Sequence, residues 1–120
     1  MNKKVVIVAS KRIPFMKSFG RYKDMDNIHL ITPVLKELVS NMGLTGKVVG
    51  EVALGAVMNH PADWNLARET VLNSGLSPDT PAYNLQKACG TSLENVIGIA
   101  NKIALGQIEC GIAGGTDTNS

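Results

Sequence analysis

Apolar segments of two kinds alternate along the chain, and their spacing predicts a parallel sheet covered by helices. Short runs rich in valine, isoleucine and alanine predict strands at 5–10, 51–58, 82–88 and 110–116. Between them, apolar residues recur every three or four positions, which is typical of helices with one buried face. These helices are predicted at 32–43, 63–74 and 91–106. The resulting order, βαβαβαβ, favours an α/β fold with a mainly parallel sheet and right-handed crossovers.

Residue types indicate how the first predicted strand is buried and where the first predicted helix begins and ends. The run VVIVAS at 5–10 is apolar without alternation, so it predicts a strand that is buried on both faces. Thr32 is suited to cap the first helix and Pro33 to occupy its first position, and Gly43 is suited to end it.

The segment 91–106 is the clearest helix of the chain. Thr91 and Glu94 have the spacing of a capping box, and Gly106 is suited to stop the helix. Apolar residues occupy nearly every side of this segment: Leu93, Val96, Ile97, Ile99, Ala100 and Ile103. We therefore expect it to be a central helix that is well buried.

Composition narrows the class of protein. The chain has 120 residues, enough for one compact domain with a core, and it contains no internal boundary. Its net charge of +2 is too small to indicate a nucleic-acid partner. The basic residues between 11 and 23 are interpreted as a solvated loop face, with an anion or partner contact as the alternative. No apolar run approaches the roughly 20 residues that span a bilayer, so no membrane partner is expected.

Targeting, disulfide and metal chemistry are not indicated. The basic N-terminal region reaches the predicted strand at 5–10 almost at once, which argues against a transit peptide. Cys89 and Cys110 flank a predicted helix, and since nothing suggests secretion we expect two free thiols and a cytoplasmic protein. The sequence has no glycine-rich phosphate loop and no metal-ligand spacing, so neither a metal nor a tightly bound cofactor is expected.

Cys89 is the residue with the most evident chemistry. It is predicted to lie at the carboxyl end of a strand, where ligands of α/β sheets collect, and it precedes Gly90 and the helix at 91–106. Unpaired N–H groups and the partial positive charge of a helix N-terminus favour a thiolate and can stabilise an oxyanion. These residues alone leave two interpretations open, a nucleophile and an inert packed thiol.

Three stretches of the chain resemble the thiolase family. NLQKACGTSLENVIGIANKIALGQIECGIAGGTDTNS (84–120) is similar to the segment around the acyl-accepting cysteine of thiolases. KRIPFMKSFG resembles their N-terminal R-T-P-F loop, with Ile13 in place of the usual threonine. EVALGAVMNHPADWNLARETVLNSGL resembles their second strand followed by N-x-A-R and a helix. The cysteine segment alone is shared with the ketoacyl synthases, and the other two stretches favour thiolase.

The resemblance implies an acyl-CoA acyltransferase that uses Cys89. In this family the cysteine thiolate takes an acyl group from a thioester, and the carbanion of a second acyl-CoA then attacks that acyl group; the reverse reaction cleaves a 3-ketoacyl-CoA with CoA. The resemblance also implies that the backbone N–H of Cys89 is an oxyanion donor, that CoA is a substrate and not a cofactor, and that the protein is a dimer or tetramer. The rival hypotheses are a ketoacyl synthase acting on acyl carrier protein and a non-catalytic scaffold.

The other catalytic motifs of thiolases, G-H-P and C-x-G-G-G, do not occur in the chain. Residues 1–120 are therefore expected to be part of the N-terminal domain of a longer enzyme, without its loop domain and C-terminal half. His60 in NHP is interpreted as a loop histidine, Cys110 as a small buried residue, and Arg68 as a member of a surface salt bridge. Gly114 and Gly115 are predicted to bring the backbone close to the turn at Cys89.

Overall fold

The structure is a computed structural model, and it describes residues 3–119. Three α-helices and three strands follow one another along the chain, with a short 3-10 helix at Pro61–Asp63. The helices are α1 (Asn27–Asn41), α2 (Leu66–Leu72) and α3 (Thr91–Ala104). The strands are β1 (Glu51–Leu54), β2 (Ala82–Asn84) and β3 (Gly111–Ala113).

The three strands form one parallel sheet in the order β2-β1-β3. In its centre Val52 of β1 lies opposite Ala82 of β2 on one side and Ile112 of β3 on the other. This confirms the predicted α/β class and the parallel sheet. Each observed strand is shorter than predicted, because only three or four residues of each apolar run take part in the ladder.

Helices cover both faces of the sheet. Val52 and Leu54 of β1 belong to the core that α1 and α2 form on one face, together with Leu35, Val39 and Val71. Glu51 precedes Val52 on β1, so its side chain points to the other face of the sheet, where its carboxylate accepts a hydrogen bond from Lys102 of α3. This arrangement follows from right-handed crossovers, since the chain moves from β1 outward to β2 and then back past β1 to β3.

The predicted strand at 5–10 is wrong. The backbone there belongs to no ladder, and Val6, Ile7 and Val8 are 64%, 81% and 76% exposed. Both edges of β1 are occupied by β2 and β3, so a further strand would have to pair with the outer edge of β2 or β3, and residues 5–10 pair with neither. The remaining edge of β3 borders a groove of about 900 Å³, which residues 5–18 and 110–119 line together. A backbone hydrogen bond just before this segment attaches it to α3: the Lys3 N–H donates to the Ala104 carbonyl at 2.9 Å.

The predicted start of the first helix is also wrong, while its end is confirmed. Helix α1 begins at Asn27, because Asp26 caps it by accepting a hydrogen bond from the His29 N–H, and Pro33 lies inside it. Burial of Leu30 and Ile31 ahead of the proline compensates for the proline in the helix interior. At the other end Gly43 has φ 67°, and the Leu44 N–H donates to the Val39 carbonyl, as in a Schellman motif.

The predicted second helix, 63–74, is split. Its first residue, Asp63, ends the 3-10 helix, and α2 starts only after Asn65, whose side chain accepts a hydrogen bond from the Arg68 N–H at 2.9 Å. An asparagine competes for backbone hydrogen bonds and therefore favours a cap over a helix interior.

Helix α3 is buried on one face only, so the prediction of a well-buried central helix is wrong for the described residues. Asn95 and Ile99 face the sheet, whereas Leu93 and Ile97 are 65% and 44% exposed. The predicted capping box is wrong as well. Gly90 is the N-cap, Thr91 is already helical, and no side chain caps the helix.

Candidate functional site

Cys89 is an exposed free thiol in the turn between β2 and α3. The Leu85 N–H donates to the Leu54 carbonyl at 3.0 Å, so the chain leaves the sheet directly beyond β2. The turn then reverses direction, and α3 begins at Thr91. Cys89 therefore lies at the carboxyl edge of the parallel sheet and beside the N-terminus of a 14-residue helix.

The backbone of this turn is unusual at Ala88. Its φ is 45°, in the left-handed region that a residue with a Cβ enters at a cost of about 1–2 kcal/mol. Three hydrogen bonds from side chains to the backbone surround it. The Gln86 side chain accepts from the Ala88 N–H, and the Thr91 hydroxyl accepts from the Lys87 N–H and donates to the Ala88 carbonyl. The position immediately before the cysteine is thus held on both sides.

Two glycines allow neighbouring strand ends to approach the start of α3. A Cβ at Gly55, just beyond β1, would clash with the Leu85 carbonyl oxygen and lie 2.7 Å from Cγ2 of Thr91. A Cβ at Gly115, just beyond β3, would lie 2.6 Å from Oγ of Ser92. The Gly115 backbone therefore lies close to the start of α3, and the predicted approach of Gly114 and Gly115 to the turn at Cys89 itself stays a prediction.

Polar side chains that the sequence analysis did not single out join the strand ends. The Asp117 carboxylate accepts hydrogen bonds from the backbone N–H groups of Val57 and Met58, at 3.0 and 3.1 Å. The Asn95 amide donates to the Gly114 carbonyl at 3.0 Å. The sequence does contain one indication of Asp117, since it is an acidic residue that follows the AGG at the end of the last predicted strand. These bonds fix the loops that surround the carboxyl edge.

Charged pairs lie around the turn and on the α3 side of the sheet. Lys87 and Glu94 form an exposed ion pair at 3.2 Å, next to Cys89. Lys102 donates to Glu51 at 2.6 Å and lies 4.7 Å from the centroid of the Tyr83 ring. The hydrogen bond to Glu51 raises the pKa of Lys102 above its ordinary value.

The remaining residues that the sequence analysis weighed do not join Cys89. Cys110 is exposed, so its interpretation as a buried residue is wrong; it precedes β3, whose outer edge is uncovered by the described residues. His60 lies in the loop before the 3-10 helix, as expected. Arg68 forms no salt bridge within residues 3–119, since its guanidinium donates instead to the carbonyls of Pro78 and Thr80.

Two cavities open near the strand ends. The smaller one, of about 400 Å³, is lined by His60, Trp64 and Gln86 among others and adjoins the turn. The larger one is the groove of about 900 Å³ beside β3. Cys89 lines neither cavity and faces the surface. The geometry provides an accessible thiol on a rigid turn, with no enclosing wall from the described residues.

Neither a metal site nor a membrane-spanning helix is found among the described residues. Among residues 3–119 no three His, Cys, Asp or Glu side chains are grouped so that they could hold a metal ion. None of the helices in this range is long and apolar enough to cross a bilayer.

Comparisons with known proteins agree on one family. The family model for the N-terminal domain of thiolase matches residues 5–120. The 3-ketoacyl-CoA thiolase of Photorhabdus laumondii is 38% identical over 117 residues, which are 98% of this chain and 27% of that protein. The 3-ketoacyl-CoA thiolase of Shewanella denitrificans is 36% identical over the same shares of the two chains.

A solved structure shows the same likeness. The crystal structure of the Bacillus anthracis acetyl-CoA acetyltransferase superposes with a TM-score of 0.75 and 31% identity, over 82% of this chain and 25% of that one. The chain therefore spans about 27% of the length of the curated relatives that it matches. With a family match over nearly all of its residues and a parallel sheet that carries a cysteine at its carboxyl edge, the chain belongs to the thiolase family.

Proposed function

We propose that the protein carrying this chain is an acyl-CoA acyltransferase of the thiolase type and that Cys89 is its nucleophile. The observation that carries the proposal is the exposed Cys89 thiol on a turn at the carboxyl edge of the sheet, beside the N-terminus of α3. The relatives named 3-ketoacyl-CoA thiolase and the structural neighbour named acetyl-CoA acetyltransferase support the same reaction class.

The reaction has two halves, and Cys89 takes part in both. Its thiolate attacks the carbonyl carbon of an acyl-CoA, the C–S bond to CoA breaks, and CoA leaves as a thiolate that takes up a proton. The carbanion formed when a second acyl-CoA loses an α-proton then attacks the acyl-enzyme. The C–S bond to Cys89 breaks, and 3-ketoacyl-CoA and the Cys89 thiolate are released. Thiolysis is the same sequence in reverse.

The residues around Cys89 support two parts of this chemistry. The backbone N–H of Cys89 is our candidate donor to the oxyanion of the tetrahedral intermediate, since preorganised N–H groups stabilise charge that develops in the transition state. The partial positive charge at the start of α3 favours the thiolate over the thiol. A helix end contributes under about 1 kcal/mol when it is exposed, so a separate base is required for full activation.

The proposal also covers the longer protein to which the chain belongs. We assign residues 1–120 to the N-terminal part of a longer thiolase, whose remaining portion supplies the base and the walls of the acyl site. CoA thioesters are substrates in this account, and it requires no resident cofactor. We also infer a homo-oligomer, because Trp64 and the outer face of α3 expose apolar surface that association would cover. A cytoplasmic location, expected from the sequence, is part of the same proposal. Fractionation and sedimentation of the complete protein test these two points.

A turnover assay on the complete protein tests the proposed reaction. Acetoacetyl-CoA and CoA are supplied, and loss of the 3-ketoacyl thioester is followed. We expect turnover in the unmodified protein, none in Cys89→Ser, and full turnover in Cys110→Ser. A ketoacyl synthase would instead require acyl carrier protein, and a scaffold would show no turnover with either substrate; each of these results would contradict the proposal.

A further inference from the structure

The turn that carries Cys89 has a strained residue and two side chains that hold it. Ala88, immediately before the cysteine, has φ 45°, which glycine adopts freely and alanine does not. A backbone in this region persists only where its surroundings over-determine it, and such strain is common at functional sites.

The contacts on Ala88 come from both sides of the turn. Its N–H donates to the Gln86 side-chain oxygen at 2.8 Å, and its carbonyl accepts from the Thr91 hydroxyl at 2.8 Å. The same hydroxyl accepts from the Lys87 N–H at 2.9 Å. The Ala88 carbonyl also accepts the backbone N–H of Thr91, the first residue of α3, at 3.3 Å. Each polar group of the Ala88 backbone is therefore bound by a side chain, and the carbonyl has this backbone bond in addition.

Thr91 is anchored more firmly than Gln86. It is only 6% exposed, and its methyl group packs against Gly55 at the end of β1. Gln86 is exposed, so its bond to Ala88 depends on the turn that it helps to form. Thr91 thus connects the turn to the sheet, and Gln86 closes the turn from the outside.

We propose that Thr91 and Gln86 are positioning residues, which hold Ala88 left-handed and thereby set the direction of the Cys89 thiol and N–H. The proposal rests on the proposed function of Cys89. If Ala88 returns to negative φ, the peptide between Ala88 and Cys89 rotates, and both reacting groups of the cysteine move with it. Displacements of about 1 Å in a catalytic group can cost roughly a hundredfold in rate.

The test uses the complete protein with Thr91→Val, Thr91→Ser and Gln86→Met. Single-turnover acylation of Cys89 by acetyl-CoA is measured by mass spectrometry across a range of acetyl-CoA concentrations. We expect at least a tenfold slower maximal acylation rate in Thr91→Val and a smaller loss in Gln86→Met. Thr91→Ser keeps the hydroxyl and should stay within about threefold of the unmodified rate. The concentration for half-maximal rate should hardly change, since the substrate contacts are intact.

Two further variants separate positioning from stability. Thr70→Val removes another buried threonine hydroxyl, which donates to the Leu66 carbonyl within α2, and should leave the acylation rate unchanged. Adding Ala88→Gly to Thr91→Val should recover part of the lost rate, because glycine needs no support at positive φ. Gln86 is exposed, so its variant remains informative if Thr91→Val fails to fold.

A second probe makes failure of this inference distinguishable from failure of the proposed function. Iodoacetamide alkylates any accessible thiol, and the ratio of the Cys89 rate to the Cys110 rate is followed. We expect Thr91→Val and Gln86→Met to change that ratio severalfold even if acetyl-CoA does not acylate the protein. Acylation and alkylation at unmodified rates in both variants would overturn the inference, as would an equal loss of acylation in Thr70→Val.

Discussion

Lys102 is the residue that ties α3 to the sheet by charge. Its ammonium group donates to Glu51 of β1 at 2.6 Å and lies over the ring of Tyr83, with side-chain exposures of 33% for the lysine and 18% for the glutamate. Partial burial strengthens a charged hydrogen bond and makes an unpaired partner costly. The contact joins the last turn of α3 to β1.

Replacing Lys102 by methionine should lower the free energy of unfolding by about 1–2 kcal/mol, since Glu51 loses its charged partner. Because the folded-state pKa of Lys102 lies above its ordinary value of 10.5, the contribution is complete below pH 10.5 and is lost as pH rises through the raised pKa. Urea denaturation at pH 7 measures the change. Lys36→Met, on the exposed side of α1, is the control and should change stability by less than about 0.5 kcal/mol.

For Asp63 we expect the opposite result, namely that removing the charge stabilises the fold. Burial, and next the charge of Asp26, raise the pKa of this carboxyl above its ordinary value of 3.8. Between pH 3.8 and the raised pKa the folded chain holds more protons than the unfolded chain, so stability falls as pH rises through that window. We expect Asp63→Asn to raise the melting temperature at pH 7 and to leave it unchanged below pH 3.8.

Melting curves from pH 3 to pH 7 test this expectation. Asp79→Asn, in an exposed turn, serves as the control and should not produce the same pH-dependent difference. A lower melting temperature for Asp63→Asn at pH 7 would show that the ionised carboxylate stabilises the fold, contrary to the account.

At the level of elements, α1 is the least regular helix. Pro33 is exposed and lies in its interior, where it removes the hydrogen bond to the carbonyl of residue 29 and crowds that carbonyl. Interior prolines cost about 3 kcal/mol, and part of this is returned by a stiffer unfolded chain. We expect Pro33→Ala to stabilise the chain by about 1–2 kcal/mol in urea denaturation. Pro78→Ala, in a turn, should be neutral or destabilising.

The same proline shows why element boundaries were only partly predictable. Proline is commonest at the first position of a helix, so Pro33 predicts a helix start, whereas the helix begins after Asp26, which is an ordinary cap residue. Gly43, in contrast, acts through local conformation alone and was placed correctly. Alternation of apolar runs sufficed for the α/β class and the parallel sheet, since both follow from periodicity and connection rules.

Features that depend on tertiary partners were not predictable. The run at 5–10 has a strand-like sequence, yet it joins no ladder in the described residues, although it lines the groove beside the outer edge of β3. Thr91 has capping-box spacing, yet its hydroxyl binds Lys87 and Ala88 instead. The residues around Cys89 predict its position near the end of a strand. Nothing in the sequence predicts the left-handed conformation of Ala88, because alanine rarely adopts it.

Taken as a whole, the 120-residue chain exposes much apolar surface. Large side chains with more than half of their surface exposed lie in the N-terminal segment, before β1, next to α2, on α3 and directly after α3: Val6, Ile7, Val8, Phe15, Phe19, Val48, Trp64, Leu93 and Leu105. Exposed apolar residues in such number indicate an interaction surface or a tendency to aggregate. The core around α1 and α2 is well formed.

We therefore predict that the 120-residue chain self-associates or unfolds at a low temperature. Sedimentation velocity over a range of concentrations should show species larger than the monomer, and Ile7→Glu with Ile97→Glu should raise the monomer fraction. Thr45→Glu introduces a charge at an exposed polar position and should not. A monodisperse monomer with a high melting temperature would contradict the prediction.

The central claim, that Cys89 is the acyl-accepting nucleophile, is tested most directly by finding the acyl group. The complete protein is exposed briefly to acetyl-CoA, quenched in acid, digested and examined by mass spectrometry. The account predicts one acetyl group, held on Cys89, absent in Cys89→Ser and retained in Cys110→Ser. An acetyl group on Cys110, or an acetylated protein that persists in Cys89→Ser, would contradict it.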